Sequence, residues 1–399
     1  MNPDSLVPKK KLLFVGGGYA DIPLIMAARK QGYYIITTGN RPDDPGHQYA
    51  DEYCYQDYSD CDGIFALAKS LDISAICPCC NDFSALSAAY TAEKLGLPGH
   101  DPYEIAQILH HKDQYREFAQ KNDIKCPLAQ GFDNSTKAKN IFKKMPFPLI
   151  IKPVDLTGGK GISVVQKEIE GYEAIEKAFS ISKVKRIVIE EFLTGTRHGF
   201  STFISNGKVS FYFSDNEHYY ENPFMVGAAS APGNVSIEVE ENLCIQAEKI
   251  VSLLRLKDGI FHIQYILHNN EPVIIEICRR APGDLYIKLV EHATGVDYSS
   301  WIVRSFSGIE CTEIQRVAPN GYYTRYCVMA KKEGIIKDVI INKMLDDKIF
   351  DSHMWWNPGD KILDCLTEKC GIVFLKFNSR DEMHTITESL SSLISVKVI

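Results

Sequence analysis

The sequence has no long apolar run and no basic tract. No stretch approaches the roughly 18 apolar residues of a membrane-spanning helix, and the apolar run after the N-terminal lysines stops at Gly16, too early for a secretion signal. The chain has 44 Lys and Arg residues against 51 Asp and Glu residues, which gives a formal net charge of -7. The longest basic run is residues 9–11. These absences predict a cytoplasmic protein whose partners include neither nucleic acid nor a membrane.

A disulfide framework and a zinc site are also missing from the pattern. The 12 cysteines are scattered without regular pairing along a 399-residue chain, which predicts reduced thiols. The one cluster, at residues 77–80, has no second Cys pair or His residues at ligand spacing. We therefore interpret it as a loop at the end of the apolar strand 73–76.

The first hundred residues predict an open α/β unit. A strand at 11–15, a helix at 20–30 and a strand at 33–38 alternate with glycine turns, which is typical of a parallel sheet. The glycines at 16–18 suggest a dinucleotide site, but the second strand ends at Thr38-Gly39-Asn40 without the acidic residue that would hold a ribose. NAD binding is therefore set aside.

The rest of the chain predicts antiparallel strands with few helices. Strands at 198–204 and 209–213 flank the turn 205–208, and a long helix follows at 238–254. Strands at 261–267 and 272–277 predict a hairpin that would bring Gln264 and Glu276 onto one face. Beyond residue 319, short strands and a helix at 379–393 predict a small α+β segment.

Three separated features point to a nucleotide. Lys152 lies on the apolar strand 149–153, where a buried cation requires an anion, and a phosphate is the natural one. The glycine loop 158–161 follows at once and can approach phosphate oxygens, although it lacks the Gly-Lys-Ser/Thr ending of a Walker A motif. Glu276 ends another apolar strand, and Arg280 comes four residues later. Together these features indicate an ATP-using enzyme.

These residues resemble the ATP-grasp superfamily over essentially the whole chain, and within it the carboxylate–amine ligases and their biotin-carboxylase-like relatives. The resemblance implies that Lys112 and Lys152 bind the nucleotide phosphates under a flexible loop formed by Gly158, Gly159, Lys160 and Gly161. It also implies an adenine segment, in which Glu190 accepts from the amino group and the backbone of Glu191 and Leu193 reads the ring edge. His198 would lie near the ribose.

The resemblance further implies a magnesium site and a catalytic arginine. Glu276 would be the bridging Mg²⁺ ligand and Gln264 the second one, at a position where many relatives have Glu. Cys278 stands where many have Asn, and a thiol is a poor ligand for Mg²⁺, so one or two ions are expected. Arg280 would hold the transferring phosphoryl group, its alternative being an ion pair with Glu276.

The implied architecture is an ATP-grasp fold of mixed α/β and α+β class. We expect an N-terminal open α/β (pre-ATP-grasp) domain at 1–112 and a two-lobed ATP-grasp core at 113–318, whose smaller lobe spans about 113–187. A small C-terminal α+β cap would occupy 319–399.

The implied function is an ATP-dependent ligase that activates a small-molecule carboxylate as an acyl phosphate and joins it to an amine. One alternative is a carboxylase acting through carboxyphosphate, but residues 281–285 differ from the Gln-Val-Glu-His stretch of biotin carboxylases. A second is a catalytically silent nucleotide-binding protein. Arg325 and residues 218–222 are candidates for lining the substrate pocket. The sequence does not identify the carboxylate and the amine, and it leaves a homodimer as one possible oligomeric state.

Overall fold

A parallel four-stranded sheet opens the fold in the computed structural model, which describes residues 9–156 and 158–399. Its strand order is β3-β2-β1-β4. The strands are β1 Lys11–Val15, β2 Tyr34–Gly39, β3 Glu52–Tyr55 and β4 Ala75–Pro78, and the helices are α1 Ile22–Lys30, α2 Cys61–Leu71 and α3 Asp82–Leu95. Almost every residue of β1, β2 and β4 is buried, which explains their continuous apolar pattern. The predicted open α/β unit is confirmed.

A second, antiparallel four-stranded sheet follows two linking helices. Its strand order is β5-β8-β6-β7. The elements of this segment are α4 Tyr103–His110, α5 Lys112–Lys121, β5 Ala129–Phe132, α6 Ser135–Phe142, β6 Leu149–Pro153, β7 Ser163–Val165, α7 Glu168–Ile181 and β8 Ile187–Glu191. The buried ring of Phe142 lies in the core between this sheet and its two helices. The sheet therefore holds β6, with Lys152, beside the end of β8.

The largest sheet has eight strands, and all its neighbours are antiparallel. The order is β13-β12-β9-β10-β11-β14-β18-β16. The strands are β9 Thr196–Ser205, β10 Lys208–His218, β11 Ala228–Ala231, β12 Gly259–His268, β13 Glu271–Cys278, β14 Tyr322–Val328, β16 Ile349–Met354 and β18 Gly371–Phe377. Asn206 and Gly207 join β9 to β10 with positive φ angles, as a two-residue hairpin turn requires.

The remaining elements cover this sheet. Helices α8 Ile237–Leu254, α9 Tyr286–Thr294, α10 Tyr298–Phe306 and α11 Arg380–Leu393 join a three-stranded sheet of β15 Gly334–Ile341, β17 Lys361–Ile362 and β19 Ile394–Val398. Short 3₁₀ helices lie at Tyr19–Asp21, Pro45–Tyr49 and Lys343–Leu345. Within residues 9–156 and 158–399, no helix has both the length and the apolar character that crossing a bilayer demands.

The large sheet crosses the predicted boundary near residue 319. Strand β14 pairs with β11, so C-terminal strands extend the same sheet that carries Gln264 and Glu276. The division into three domains stays a prediction.

Candidate active site

Two adjoining cavities lie against one face of the eight-stranded sheet. The main cavity, of about 310 Å³, reaches from the glycine loop to β14. The lateral cavity, of about 110 Å³, lies between the ends of β6 and β8 and the start of β9. Residues that line both are Lys112, Ile162, Phe224, Val226, Gln264 and Glu276. The predicted metal ligands therefore stand at the junction of the two cavities.

Lys152 lines the lateral cavity and has an anionic partner within the protein. Its Nζ donates to Oε2 of Glu190 at 2.7 Å, and Arg116 Nε lies 3.0 Å from the other carboxylate oxygen. Burial lowers the pKa of Lys152, and Glu190 opposes this. Burial disfavours charge on Glu190, but Arg116 and Lys152 outweigh it and lower the pKa of that carboxyl. The structure thus supplies Glu190 as an anion for Lys152, and the binding of a phosphate there stays a prediction.

The other walls of the lateral cavity are largely apolar. Ile150, Ile266 and Leu193 are among the apolar residues that line it. Glu191 is tied to the preceding loop, since its carboxylate accepts from Leu128 N–H at 2.8 Å and its own N–H donates to the Leu128 carbonyl at 2.9 Å. Among the described residues no group accepts from the Leu193 N–H. The lateral cavity therefore has a free backbone donor, the Leu193 N–H, among its lining residues.

The glycine loop connects β6 to β7. Gly158, Gly159 and Gly161 have φ angles of 67°, 76° and 72°, in the left-handed region that favours glycine. Gly158 and Gly159 line the main cavity, whereas Lys160 and Gly161 are absent from the described linings. A Cβ on Gly159 would come within 2.7 Å of the Phe224 Cβ, so the loop lies close against that residue. Thr157 lies outside the described residues.

Gln264 and Glu276 are directly opposite each other on β12 and β13, which confirms the predicted hairpin and shared face. Lys112 Nζ lies 3.8 Å from Oε2 of Glu276 and donates to the Leu156 carbonyl. Gln264 Nε2 donates to Oε1 of Glu217, a cavity-lining acid on β10 that sequence reasoning missed. Two acids two residues apart on an apolar strand, at 215 and 217, were the available signal.

Arg280 lines the main cavity just beyond β13 and is held by the N-terminal unit. Its Nε and Nη2 both lie 2.9 Å from Oδ1 of Asp82, at the start of α3, and its Nη1 donates to the Ala281 carbonyl. The same Asp82 oxygen lies 2.9 Å from Nδ1 of His110. The ion pair considered for Arg280 was with Glu276, but the structure pairs it with Asp82 instead.

The far wall of the main cavity carries a second charged group. Asp284 accepts from Lys369 at 2.7 Å and from the Tyr19 hydroxyl at 2.6 Å, and Arg325 Nη1 lies 3.6 Å from it. Burial opposes charge on Asp284, but Lys369 and Arg325 lower its pKa to about 2. Arg325 therefore lines the cavity as the sequence suggested, whereas of residues 218–222 only Tyr219 borders either of these two cavities, the lateral one.

His198 lies apart from both cavities. Its ring stacks on Tyr265 with centroids 5.1 Å apart, and Nε2 lies 2.7 Å from the Thr196 hydroxyl. Burial lowers the pKa of His198 to about 4, so the ring is neutral at pH 7. The preceding residue, Arg197, lines the lateral cavity instead. Its guanidinium lies 4.3 Å from the Tyr219 ring centroid.

Cys278 is buried and lines the main cavity on the Glu276 side. Burial raises the pKa of its thiol, which is therefore protonated at pH 7. A neutral thiol is a weak donor to a hard cation, in line with a packing role.

Two proteins of known name match about two thirds of this chain. The carbamoyl phosphate synthase large chain, C-terminal section, of Aquifex aeolicus is 23% identical over 68% of this chain and 53% of its own length. Phosphoribosylamine–glycine ligase of Methanococcus maripaludis (strain C7) is 26% identical over 67% of this chain and 66% of its own length. The chain thus spans less than two thirds of these relatives.

Structural similarity extends over nearly the whole chain. The L-amino acid ligase of Bacillus licheniformis superimposes with a TM-score of 0.81 at 18% identity, covering 98% of this chain and 100% of that one. Residues 110–222 match the family model described as phosphoribosylglycinamide synthetase, ATP-grasp (A) domain. The fold is the ATP-grasp fold, and the matched segment and the relatives support the predicted resemblance to the ATP-grasp carboxylate–amine ligases.

Proposed function

We propose that the protein is an ATP-dependent ligase that activates a small-molecule carboxylate as an acyl phosphate and joins it to an amine, releasing ADP and phosphate. The observation that carries this proposal is the junction of the two cavities. Lys112, Gln264 and Glu276 line both, so a molecule in the lateral cavity and one in the main cavity would meet beside them. Phosphoryl transfer requires such a meeting of donor and acceptor.

The lateral cavity suits the nucleotide base. Ile150 and Ile266 provide apolar faces, and the Leu193 N–H would donate to the ring edge. Each oxygen of Glu190 already faces a cation, so an adenine amino group would take only a remaining lone pair of that carboxylate. The phosphates would then extend past Lys152 toward Lys112 and the glycine loop.

The residues at the junction fit Mg²⁺ in their chemistry. Glu276 offers carboxylate oxygens. Gln264 donates its NH₂ to Glu217, so its carbonyl oxygen is available to a metal. Glu217, Gln264 and Glu276 all line the main cavity. No group of three or more His, Cys, Asp and Glu that could hold a metal occurs within residues 9–156 and 158–399. Nucleotide phosphates would therefore complete the coordination, and a bound Mg²⁺ would neutralise the charge of the transferring group.

Arg280 is proposed to act on the acceptor side. A substrate carboxylate oxygen would attack the γ-phosphorus, ADP would leave, and the guanidinium would hold the phosphoryl oxygens as charge shifts onto them. The amine nitrogen would then attack the acyl carbonyl, and phosphate would leave. The glycine loop, which lines the cavity through Gly158 and Gly159, would shield the acyl phosphate from water.

Hydroxylamine trapping tests this proposal. With ATP, Mg²⁺ and a library of carboxylic acids, hydroxylamine should intercept the acyl phosphate, so ADP and the hydroxamate of one acid should accumulate together. Arg280→Lys should lower this turnover by about ten-fold or more while ATP affinity is kept, because a point charge does not reproduce a planar fork. Arg316→Lys, a change in a surface ion pair with Glu240, is the matched control.

Three outcomes would overturn it. AMP and pyrophosphate in place of ADP would indicate an adenylate intermediate. ADP formation that requires only bicarbonate would indicate the carboxylase. ATP binding without ADP formation across the whole library would indicate a silent nucleotide-binding protein.

A further inference from the structure

Three buried polar atoms on one wall of the main cavity have no hydrogen-bond partner. They are Oδ1 of Asp215, Nδ1 of His262 and Nε of Arg325, on side chains that are at most 5% exposed. Most buried polar atoms in proteins are paired, and leaving one unpaired costs about 1–3 kcal/mol. Three such atoms around one cavity indicate that a polar ligand completes the wall.

Asp215 provides an acceptor that the surrounding residues fix in place. The Tyr286 hydroxyl donates to its Oδ2, which leaves Oδ1 as the unpaired oxygen. Gly199 on the neighbouring strand makes room for this carboxylate, since a Cβ there would come within 2.5 Å of Oδ2. A buried acid with one free oxygen is matched by an ammonium group.

Arg325 provides a donor of opposite sign across the same wall. It shares Asp284 with Lys369, and the lysine makes the shorter contact, so two cations face one carboxylate. Asp215 and Arg325 also lie close enough for each charge to affect the pKa of the other. The unpartnered Nε of Arg325 suits an anionic group on the ligand.

We propose, resting on the proposed ligase function, that the amine substrate is amino-acid-like: its amino group binds Asp215 and its anionic group binds Arg325. Ala229 pairs with Glu217 on one side and with Arg325 on the other, and it lines the same cavity. His262 contributes the unpartnered ring nitrogen Nδ1 on the same wall, which can make a further hydrogen bond to the ligand.

The same placement gives Asp215 a part in the second step. The bound ammonium transfers one proton to the Asp215 carboxylate, which frees the nitrogen lone pair to form the C–N bond with the acyl carbon. The C–O bond to phosphate breaks with its electron pair going to phosphate, and the second nitrogen proton leaves with that phosphate. Burial and the nearby Glu217 raise the pKa of Asp215 to about 7, which suits a proton acceptor at neutral pH.

Calorimetry on the full chain tests this without requiring turnover. The probes are glycine, β-alanine, 4-aminobutyrate and L-aspartate, each compared with its analogue lacking the amine and with its carboxamide. At least one amino acid should bind, and removal of either its amine or its charge should weaken binding about ten-fold or more. Asp215→Asn and Arg325→Gln should each cause a similar loss while ATP affinity is kept. Glu313→Gln, an exposed change, is the control.

A steric variant covers failure of the charge variants to fold. Ala229→Leu should fill the corner beside Arg325 and abolish amino acid binding without removing any polar group. Equal affinity in wild type and Asp215→Asn, tighter binding of the amine-free analogue, or no binding by any probe would overturn the proposal. Because hydroxylamine replaces the amine substrate, hydroxamate formation requires no amino acid at Asp215 and Arg325, so failure of the trapping experiment identifies an error in the ligase assignment instead.

Discussion

Two adjacent arginines illustrate how neighbouring residues acquire different roles. Arg279 donates to Asp101 at 2.8 Å, to the Lys257 carbonyl at 2.7 Å and to the Ile260 carbonyl, so each of its three nitrogens has a partner within the protein. Arg280 contacts one oxygen of Asp82 and one carbonyl, and it lines the main cavity. Both guanidinium groups are therefore held by the protein, but only that of Arg280 borders the main cavity, where a ligand could contact it.

The ion pair of Lys152 gives a prediction on nucleotide affinity. Lys152→Met should weaken ATP binding by about 1.5–3 kcal/mol, because it removes a charge-assisted contact at the lateral cavity. Calorimetry with a non-hydrolysable ATP analogue measures this. Lys208→Met is the matched control, since it removes an exposed Lys–Glu ion pair, with Glu248, outside both cavity linings. Unchanged affinity in folded Lys152→Met would remove Lys152 from the phosphate site.

Asp215 gives a prediction on pH and stability. Burial, aided by Glu217, raises its pKa from 3.8 to about 7, against the opposing effects of Tyr286 and Arg325. Because the folded-state pKa lies above the unfolded one, the stabilisation is complete below pH 3.8 and is lost as pH rises through about 7. Asp215→Asn cannot ionise, so its Tm should exceed that of wild type by an amount that grows over this window. A Tm difference independent of pH would contradict the assigned burial.

At the scale of elements, two glycines of the glycine loop have similar backbone angles but different surroundings. Gly158 and Gly159 share left-handed φ angles, but a Cβ on Gly158 meets nothing within 4 Å, whereas one on Gly159 meets Phe224 at 2.7 Å. The two positions therefore form a matched pair for substitution.

We expect Gly159→Ala to impair loop closure more than Gly158→Ala does. Each alanine adds about 1 kcal/mol of backbone strain, and only the one at 159 must also displace Phe224. Turnover in the hydroxylamine assay and ATP affinity should both fall further for Gly159→Ala. Equal effects of the two changes would show that contact with Phe224 does not position the loop.

Locally encoded elements were predictable, and long-range partners were not. The hairpin of β12 and β13 follows from alternating apolar residues around a polar turn, so its register brought Gln264 opposite Glu276 as expected. The pairing of β11 with β14 joins segments far apart in sequence, and no local signal specifies it. The same holds for the site: Lys152 was found from its strand, but its partner Glu190 and the third member Arg116 come from other elements.

At the scale of the whole molecule, the N-terminal unit contacts the proposed catalytic arginine, Arg280, through one carboxylate. Asp82 begins α3, beyond the carboxyl end of β4, and holds both Arg280 and His110. A second buried pair, Asp101 with Arg279, links nearby segments without lining either cavity in the described residues. We therefore expect the Asp82–Arg280 pair to position a residue of the site and the Asp101–Arg279 pair to contribute to stability alone.

We expect Asp82→Asn to lower turnover by about ten-fold or more with little change in ATP affinity, because Arg280 loses its charged anchor. Asp101→Asn should lower the Tm as much or more, since it leaves Arg279 buried with an uncompensated charge, yet its turnover per folded molecule should be kept. Assays normalised to the folded fraction distinguish the two. A turnover loss that merely follows Tm in both variants would make Asp82 a stabilising residue only.

The continuity of the eight-stranded sheet has a consequence for building hybrid enzymes. The C-terminal segment supplies Arg325 from β14 and Lys369 just before β18, and Ala228–Ala231 pairs with residues 323–326 of β14 in fixed register. A one-residue shift at this junction would turn Arg325 to the opposite face of the sheet. We therefore expect a hybrid with the C-terminal segment of a relative to adopt that relative's acceptor preference only if β11 and β14 are exchanged together. Their pairing register is then kept.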